Sequence, residues 1–201
     1  MIWGLSELVR AAGEALCAED VAFRTALRSN RDCPGQFGGI LRMANERYFQ
    51  FVIARFYAGI LPYVVKVEDN RRDISLSLPG RREPDPREIV IEMKCWLSAS
   101  GNSELAAIRT DMFQNLTADI AGSRTGGFRA RQGLMLIVSA NPRGQMTSNV
   151  RWLSDRLGVS ADDWETFVFD TENADGAEVE FWVAGYDVSK AGLQSPALRV
   201  E

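Results

Sequence analysis

The sequence predicts an α/β domain with a mixed central sheet flanked by helices, and three observations carry that prediction. Two strand patterns, Asp73-Ile-Ser-Leu-Ser-Leu78 and Ile89-Val-Ile-Glu-Met-Lys94, face each other across a polar, proline-bearing turn, Arg81-Arg-Glu-Pro-Asp-Pro-Arg87. Long amphipathic helical stretches lie before and after this pair. The block Gly133-Leu-Met-Leu-Ile-Val-Ser-Ala140 is short and apolar, as in a strand covered on both faces. At 201 residues the chain can bury a full core, and it shows no internal repeat or low-complexity linker. Residues 1–201 therefore read as one domain, with a helical region over 1–32, a core over 40–140, and a helix with edge strands over 141–201.

The elements follow in order. Residues 1–32 have helical character, with apolar positions at Leu5, Leu8, Val9, Leu16, Val21 and Leu27. After Gly38-Gly39, residues 40–58 form a long amphipathic segment that stops at Gly59 and Pro62. The strand pair follows. Ser103 then reads as an N-cap, and Leu105, Ile108, Met112, Leu116 and Ile120 form the buried stripe of the next helix, with Asp111 and Gln114 on its other side. The 133–140 block should be the central strand, and Asn141-Pro-Arg-Gly144 a loop. A short helix is expected over Val150 to Leu157, stopped by Gly158. Edge strands are expected at Phe167–Phe169 and Val179–Ala184, joined by a turn at Asn173-Ala-Asp-Gly176.

The strand pair concentrates chemistry. With the turn at its centre, Ile74 opposes Ile91, Leu76 opposes Ile89, and Asp73 opposes Glu92. Side chains alternate, so one face is apolar and the other carries Asp73, Ser75, Ser77, Val90, Glu92 and Lys94. A one-residue slip would send the isoleucines to the wrong face; a slip of two would preserve the parity. Opposed carboxylates repel and need a compensating cation. Lys94 supplies one charge, and a divalent ion would supply two more. Magnesium prefers carboxylate and water oxygens, which leaves room for a phosphate and an attacking water. A compact ammonium beside them suits the charge that grows on the phosphorane.

Arg71-Arg-Asp-Ile-Ser-Leu76, a turn, and Ile89-Val-Ile-Glu-Met-Lys94 resemble the core of the PD-(D/E)xK nuclease superfamily, which includes restriction-endonuclease-like enzymes. The resemblance covers roughly residues 40–140 and rests on a short, degenerate motif together with the order of elements. It implies a restriction-endonuclease-like fold: a helix, a three-stranded meander bearing the acids and lysine, a second helix, and a fourth strand. It also implies a Mg2+ (or Mn2+) dependent nuclease, with Asp73 and Glu92 as metal ligands, Lys94 as the activating residue, and Glu46 of the preceding helix as a further acid. The literal Pro84-Asp85 pair falls in the turn, where Asp85 is better explained as turn chemistry.

Glu46 shares helical spacing with Met43, Phe49, Ile53 and Phe56, so it interrupts an apolar stripe and needs a partner, whether a metal, a water, Arg42 or another arginine. Gln114 resembles a helix glutamine that some relatives place near the scissile phosphate; its other reading is a solvent-facing side chain. Arg72 and Arg124 are candidate phosphate contacts. Around them lie Arg71, Arg81, Arg82, Arg87 and the basic stretch Arg124-Thr-Gly-Gly-Phe-Arg-Ala-Arg131. Each of these arginines could equally be a solvated partner of Glu68, Asp69, Glu83 or Glu88.

The chain has no histidine, which removes Ser-His-Asp and Cys-His catalysis, histidine bases and most catalytic zinc sites. Three scattered cysteines, Cys17, Cys33 and Cys95, have no close metal-ligand spacing and suit a reduced compartment, with Cys95 packed on the apolar side of its strand. No segment has the apolar length of a membrane span, and no basic stretch followed by a hydrophobic run opens the chain, so a cytoplasmic protein is expected. A net charge of -4 and pI near 5.1 argue against strong intrinsic nucleic-acid binding. Weak intrinsic binding, or delivery by a partner, would reconcile that charge with nuclease chemistry on DNA; a protein partner or a homodimer is the expected association.

Two functional readings follow from the sequence. The first is a metal-dependent nuclease that attacks a phosphodiester with a magnesium-activated water. The second is a nuclease-like fold without activity, serving as a nucleic-acid-binding or assembly module. A plain surface ion-pair cluster of Asp73, Glu92 and Lys94 is the remaining explanation of the same residues.

Overall fold

The computed structural model describes residues 3–31, 36–43, 45–69, 71–80, 88–96, 102–124 and 129–190. Its elements are α1 (Leu5–Ser29), a 3-10 turn (Ile40–Met43), α2 (Glu46–Ile60), β1 (Val64–Val67), β2 (Ile74–Ser77) and β3 (Ile89–Cys95). Then come α3 (Asn102–Thr110), a π-helical segment (Asp111–Leu116), α4 (Thr117–Ala121), β4 (Gln132–Asn141), α5 (Met146–Leu157), a 3-10 turn (Ala161–Asp163), β5 (Trp164–Glu172) and β6 (Glu178–Asp187). The proline-bearing turn with Asp85, Cys33 and residues 125–128 lie outside the described residues.

One six-stranded sheet runs in the order β1-β2-β3-β4-β6-β5. β1, β2 and β3 form an antiparallel meander, β3 pairs parallel with β4, and β4, β6 and β5 are antiparallel neighbours. The expected register of the hairpin is observed, with Ile74 opposite Ile91 and Leu76 opposite Ile89. The fold is therefore mixed α/β, with a mixed sheet between helical layers. In residues 46–141 the order is helix, meander, helix, parallel strand.

Each face of the sheet has its own core. Ile74, Leu76, Ile89, Ile91 and Met93 join Leu134, Leu136, Val138, Phe181 and Val183 beneath α1 and α2. Val90, Met135, Ile137, Trp182 and Ala184 pack on the opposite side against Ile108, Met112 and Leu116 of the α3-π-α4 helix and Val150, Leu153 and Leu157 of α5. Parity along β3 produces the division, since successive side chains leave a strand on opposite faces. α1 and α2 are locked by the Tyr57 hydroxyl, which donates to the Leu8 carbonyl at 2.7 Å in the buried seam.

Several sequence expectations are corrected here. The segment over 40–58 is not one helix: Asn45 caps α2 by accepting the Arg47 N–H at 2.9 Å, so the chain breaks after the 3-10 turn. Helix α3 begins at Asn102, which puts Ser103 inside it rather than at the cap. α5 begins at Met146, four polar-flanked residues earlier than its apolar periodicity showed. β6 is interior, between β4 and β5, so only β5 of that pair is an edge strand. Val21 is exposed although it shares the expected α1 stripe. Cys95 packs against the apolar core as expected.

Candidate functional site

The site is built on the β1–β2 turn and the polar side of β3. Glu68 and Arg71 in that turn both have positive φ, 53° and 68°, an uncommon backbone for residues with a Cβ. The turn is held by the Glu68 N–H, which donates to the Asp73 carbonyl at 3.0 Å, and by Ser75 Oγ, which donates to Asp69 Oδ2 at 2.6 Å. Gln50 of α2, itself buried, donates through Nε2 to the same Asp73 carbonyl. Asp73 is thereby fixed one residue before β2, and its Oδ2 accepts the Met93 N–H at 2.6 Å across the hairpin.

Glu92 and Lys94 leave β3 on one side. Lys94 Nζ lies 3.3 Å from Glu46 Oε1 and 3.1 Å from Asp111 Oδ2, and it also donates to the Met93 carbonyl at 3.0 Å. Glu46 Oε2 accepts the Cys95 N–H at 3.0 Å. Glu92 is buried and takes an ion pair from Arg124 Nη1 at 2.5 Å. The same nitrogen lies 2.8 Å from Asp119 Oδ2, while Arg124 Nη2 donates to the Arg71 carbonyl at 2.7 Å. Asp119, wholly buried, accepts the Arg72 guanidinium through Oδ1 from Nε at 2.8 Å and from Nη2.

The electrostatics follow from this crowding. Burial pushes the Glu92 carboxyl up to about 7, and Asp73 and Asp111 push the same way, against the Arg124 hydrogen bond and charge. Burial likewise raises Asp73, opposed by the Met93 N–H and by Lys94. Burial alone would lower Lys94, but Glu46, Asp111 and Asp73 outweigh it and hold the ammonium above its ordinary value. Lys94 is thus a charged donor at neutral pH, not a base.

The structure brings Asp73, Glu92, Lys94 and Glu46 together, though Glu46 does so differently from its sequence pattern. Met43 is exposed and belongs to the 3-10 turn, and Glu46 sits in the first turn of α2, where an acid is favoured by the helix dipole. Its partner is Lys94, while Arg42 donates to Gln36 instead. Arg72 does not face solvent: its zero exposure and its pairing with Asp119 withdraw it from direct phosphate contact. Gln114 is exposed. Arg124 is at the site, bound to Glu92.

Two residues escaped the sequence reading. Asp111 lay on the polar side of its helix with no pattern to mark it, yet it reaches Lys94 and is oriented by Asn115 Nδ2 at 2.7 Å. A signal did exist. Met112, Leu116 and Ile120 follow Ile108 at spacings of four, which drift about 40° each on an α-helix, and a wider π turn absorbs that drift. Asp119 was hidden because its neighbours in sequence do not reveal a buried acid.

The donor chemistry fits a hard divalent cation of the Mg2+ or Mn2+ kind, since every candidate ligand is a carboxylate and like-charged acids raise one another's proton affinity. Among the described residues no three acidic or thiol side chains form a ready cluster. The fit is that of a two-carboxylate site, Asp73 and Glu92, completed by water. No family model matches the chain, and no curated protein or solved structure matches it.

Proposed function

We propose that the protein is a metal-dependent nuclease of the PD-(D/E)xK kind, with a restriction-endonuclease-like fold and DNA as its expected substrate. One observation carries the reading: Asp73, just before β2, and Glu92 and Lys94 of the neighbouring β3 converge with Glu46 and Asp111, beside buried Arg72 and partly buried Arg124. The order of elements over 46–141, with β3 parallel to β4, supports it.

Asp73 and Glu92 would hold a divalent cation, which supplies a polarised phosphate oxygen and a water of lowered pKa. Lys94 donates from Nζ to the attacking water or the non-bridging phosphate oxygen and balances the charge that develops there. Glu46 and Asp111 keep that ammonium protonated and aimed. Arg124 neutralises Glu92 in the cation-free protein.

The Arg124–Glu92 pair also favours a second reading, a catalytically silent nucleic-acid-binding or assembly module in which the arginine takes the place of a cation permanently. Cleavage of labelled single- and double-stranded DNA and RNA separates the two. Wild type is compared with Lys94→Ala and Asp73→Ala in Mg2+, Mn2+ and EDTA. Metal-dependent cutting lost in both variants supports the nuclease; no cutting, or cutting that survives both changes, overturns it.

A further inference from the structure

Beyond Lys94 the polar side of β3 does not end in bare backbone. Trp96 lies two residues further on, roughly 7 Å along the chain and on the same side. Its backbone is pinned to β4: the Trp96 N–H donates to the Val138 carbonyl at 2.8 Å, and Ser139 Oγ donates to the Trp96 carbonyl. The Trp96 ring meets buried Trp182 edge-on at 6.2 Å and stacks on Trp152 of α5 at 5.6 Å with 22° between the planes. Trp152 stands at the surface, 38% exposed, with the Arg156 guanidinium 5.4 Å from its ring centroid.

The charge around this stack is mostly positive, with three arginines against the exposed Asp155 of α5. Arg109 donates to the Arg156 carbonyl, tying the end of α3 to the end of α5, and Arg109, Arg151 and Arg156 are all exposed. Elsewhere Arg24, Arg28, Arg55, Arg131 and Arg143 are paired with carboxylates, whereas among the described residues these three are not. In a chain of net charge -4, a local excess of cations beside an exposed indole departs from the average surface. Stacked aromatic rings with arginines are suited to unpaired bases and their phosphates, because every base offers a π face. A paired duplex keeps those faces stacked internally.

We propose that Trp152, supported by Trp96 and flanked by Arg109, Arg151 and Arg156, binds single-stranded nucleic acid that continues from the Asp73–Glu92–Lys94 site. The strand stacks an unpaired base on the indole, and the arginines take the adjoining phosphates, with Arg156 exchanging its ring contact for a phosphate. The inference deepens the nuclease reading by naming the form of substrate, and rests on it only for the strand's continuation into the site.

The test is fluorescence anisotropy in EDTA, where nothing is cleaved, with a labelled fifteen-residue oligothymidylate and a blunt fifteen-pair duplex. Wild type should bind the single strand more tightly than the duplex. Trp152→Ala should weaken single-strand binding roughly 5- to 150-fold, the range for losing one stacked base. Trp152→Phe should restore most of the affinity, and the double variant Arg109→Gln/Arg156→Gln should flatten the salt dependence. Equal binding by wild type and Trp152→Ala, no preference for the single strand, or no binding by wild type each overturns the proposal. Trp152-dependent binding in a protein that never cuts would sink the nuclease and leave the surface standing; metal-dependent cutting with unaltered Trp152→Ala binding would do the reverse.

Discussion

At the scale of single residues, the contest over Glu92 decides what the site can do. An arginine lies 2.5 Å from one buried carboxylate, and the divalent cation of the proposed function would have to compete with it. Arg124→Gln keeps a polar group there but removes the charge, so Mn2+ affinity measured by calorimetry near neutral pH should rise about tenfold or more, of the order expected for losing one partly buried competing charge pair. Equal or weaker binding in the variant would show that Arg124 is not a competitor. The pH dependence has a definite sign. Glu92 binds its proton more tightly folded than unfolded, about 7 against 4.5, so its stabilisation is complete below the lower value and is lost as pH rises through the upper one. The unfolding midpoint of the cation-free protein should therefore fall between about pH 5 and about pH 8, and Glu92→Gln should flatten that fall. Lys94→Arg is a further discriminator: a guanidinium keeps the charge but not the compact geometry, so metal-dependent cleavage should drop at least about a hundredfold while thermal stability changes little.

At the scale of elements, close approach and burial set the tolerances. Gly13 of α1 lies under Phe167 of β5, where an added Cβ would sit 2.1 Å from the ring, and Gly185 of β6 faces Val9, where it would sit 2.3 Å from a methyl group. The first helix can lie flat on the β5–β6 end of the sheet only because both positions lack a side chain. Gly13→Ala should destabilise the protein by about 1–3 kcal/mol through overpacking, read from urea denaturation, with no loss of cleavage by the folded fraction. An unchanged midpoint would mean that α1 can shift freely. The Arg72–Asp119 pair is more demanding, since both side chains have zero exposure. Arg72→Met leaves Asp119 with Arg124 alone, and should cost about 3–5 kcal/mol, the penalty for breaking a buried pair. It should also release Arg124 from its register on Glu92, so lost stability and altered cation affinity should appear together.

Across the whole molecule, α2, the meander and the π segment gather acids from chain positions 46, 73 and 111 around one lysine, with Glu92 beside Asp73 and held by Arg124. Net charge opposes the approach of a polyanion as a whole, so the proposed nucleic-acid binding would have to come from local cations. No helix among the described residues is long and apolar enough to cross a membrane. Two separate cores, one on each face of the sheet, keep the site at the boundary where β3 meets the π segment.

By itself the sequence determined the parity of the hairpin, because a one-residue slip would send Ile74, Leu76, Ile89 and Ile91 to the face that carries Asp73, Glu92 and Lys94, while a slip of two was excluded only by the observed pairing of Ile74 with Ile91 and Leu76 with Ile89. It likewise determined β4, whose continuous apolar run has no polar face to offer solvent. Only the tertiary structure decided what those groups touch. Asp111, Asp119 and Arg72 occupy polar positions whose burial depends on helices packed against distant strands, and local periodicity carries no trace of a partner 47 residues away. The break before α2 lay between, since Asn45 is an ordinary capping residue hidden by an uninterrupted amphipathic pattern. Pattern fixes which face a side chain leaves from, because that is set by backbone repeat; charge pairing is settled only when separate elements close over it.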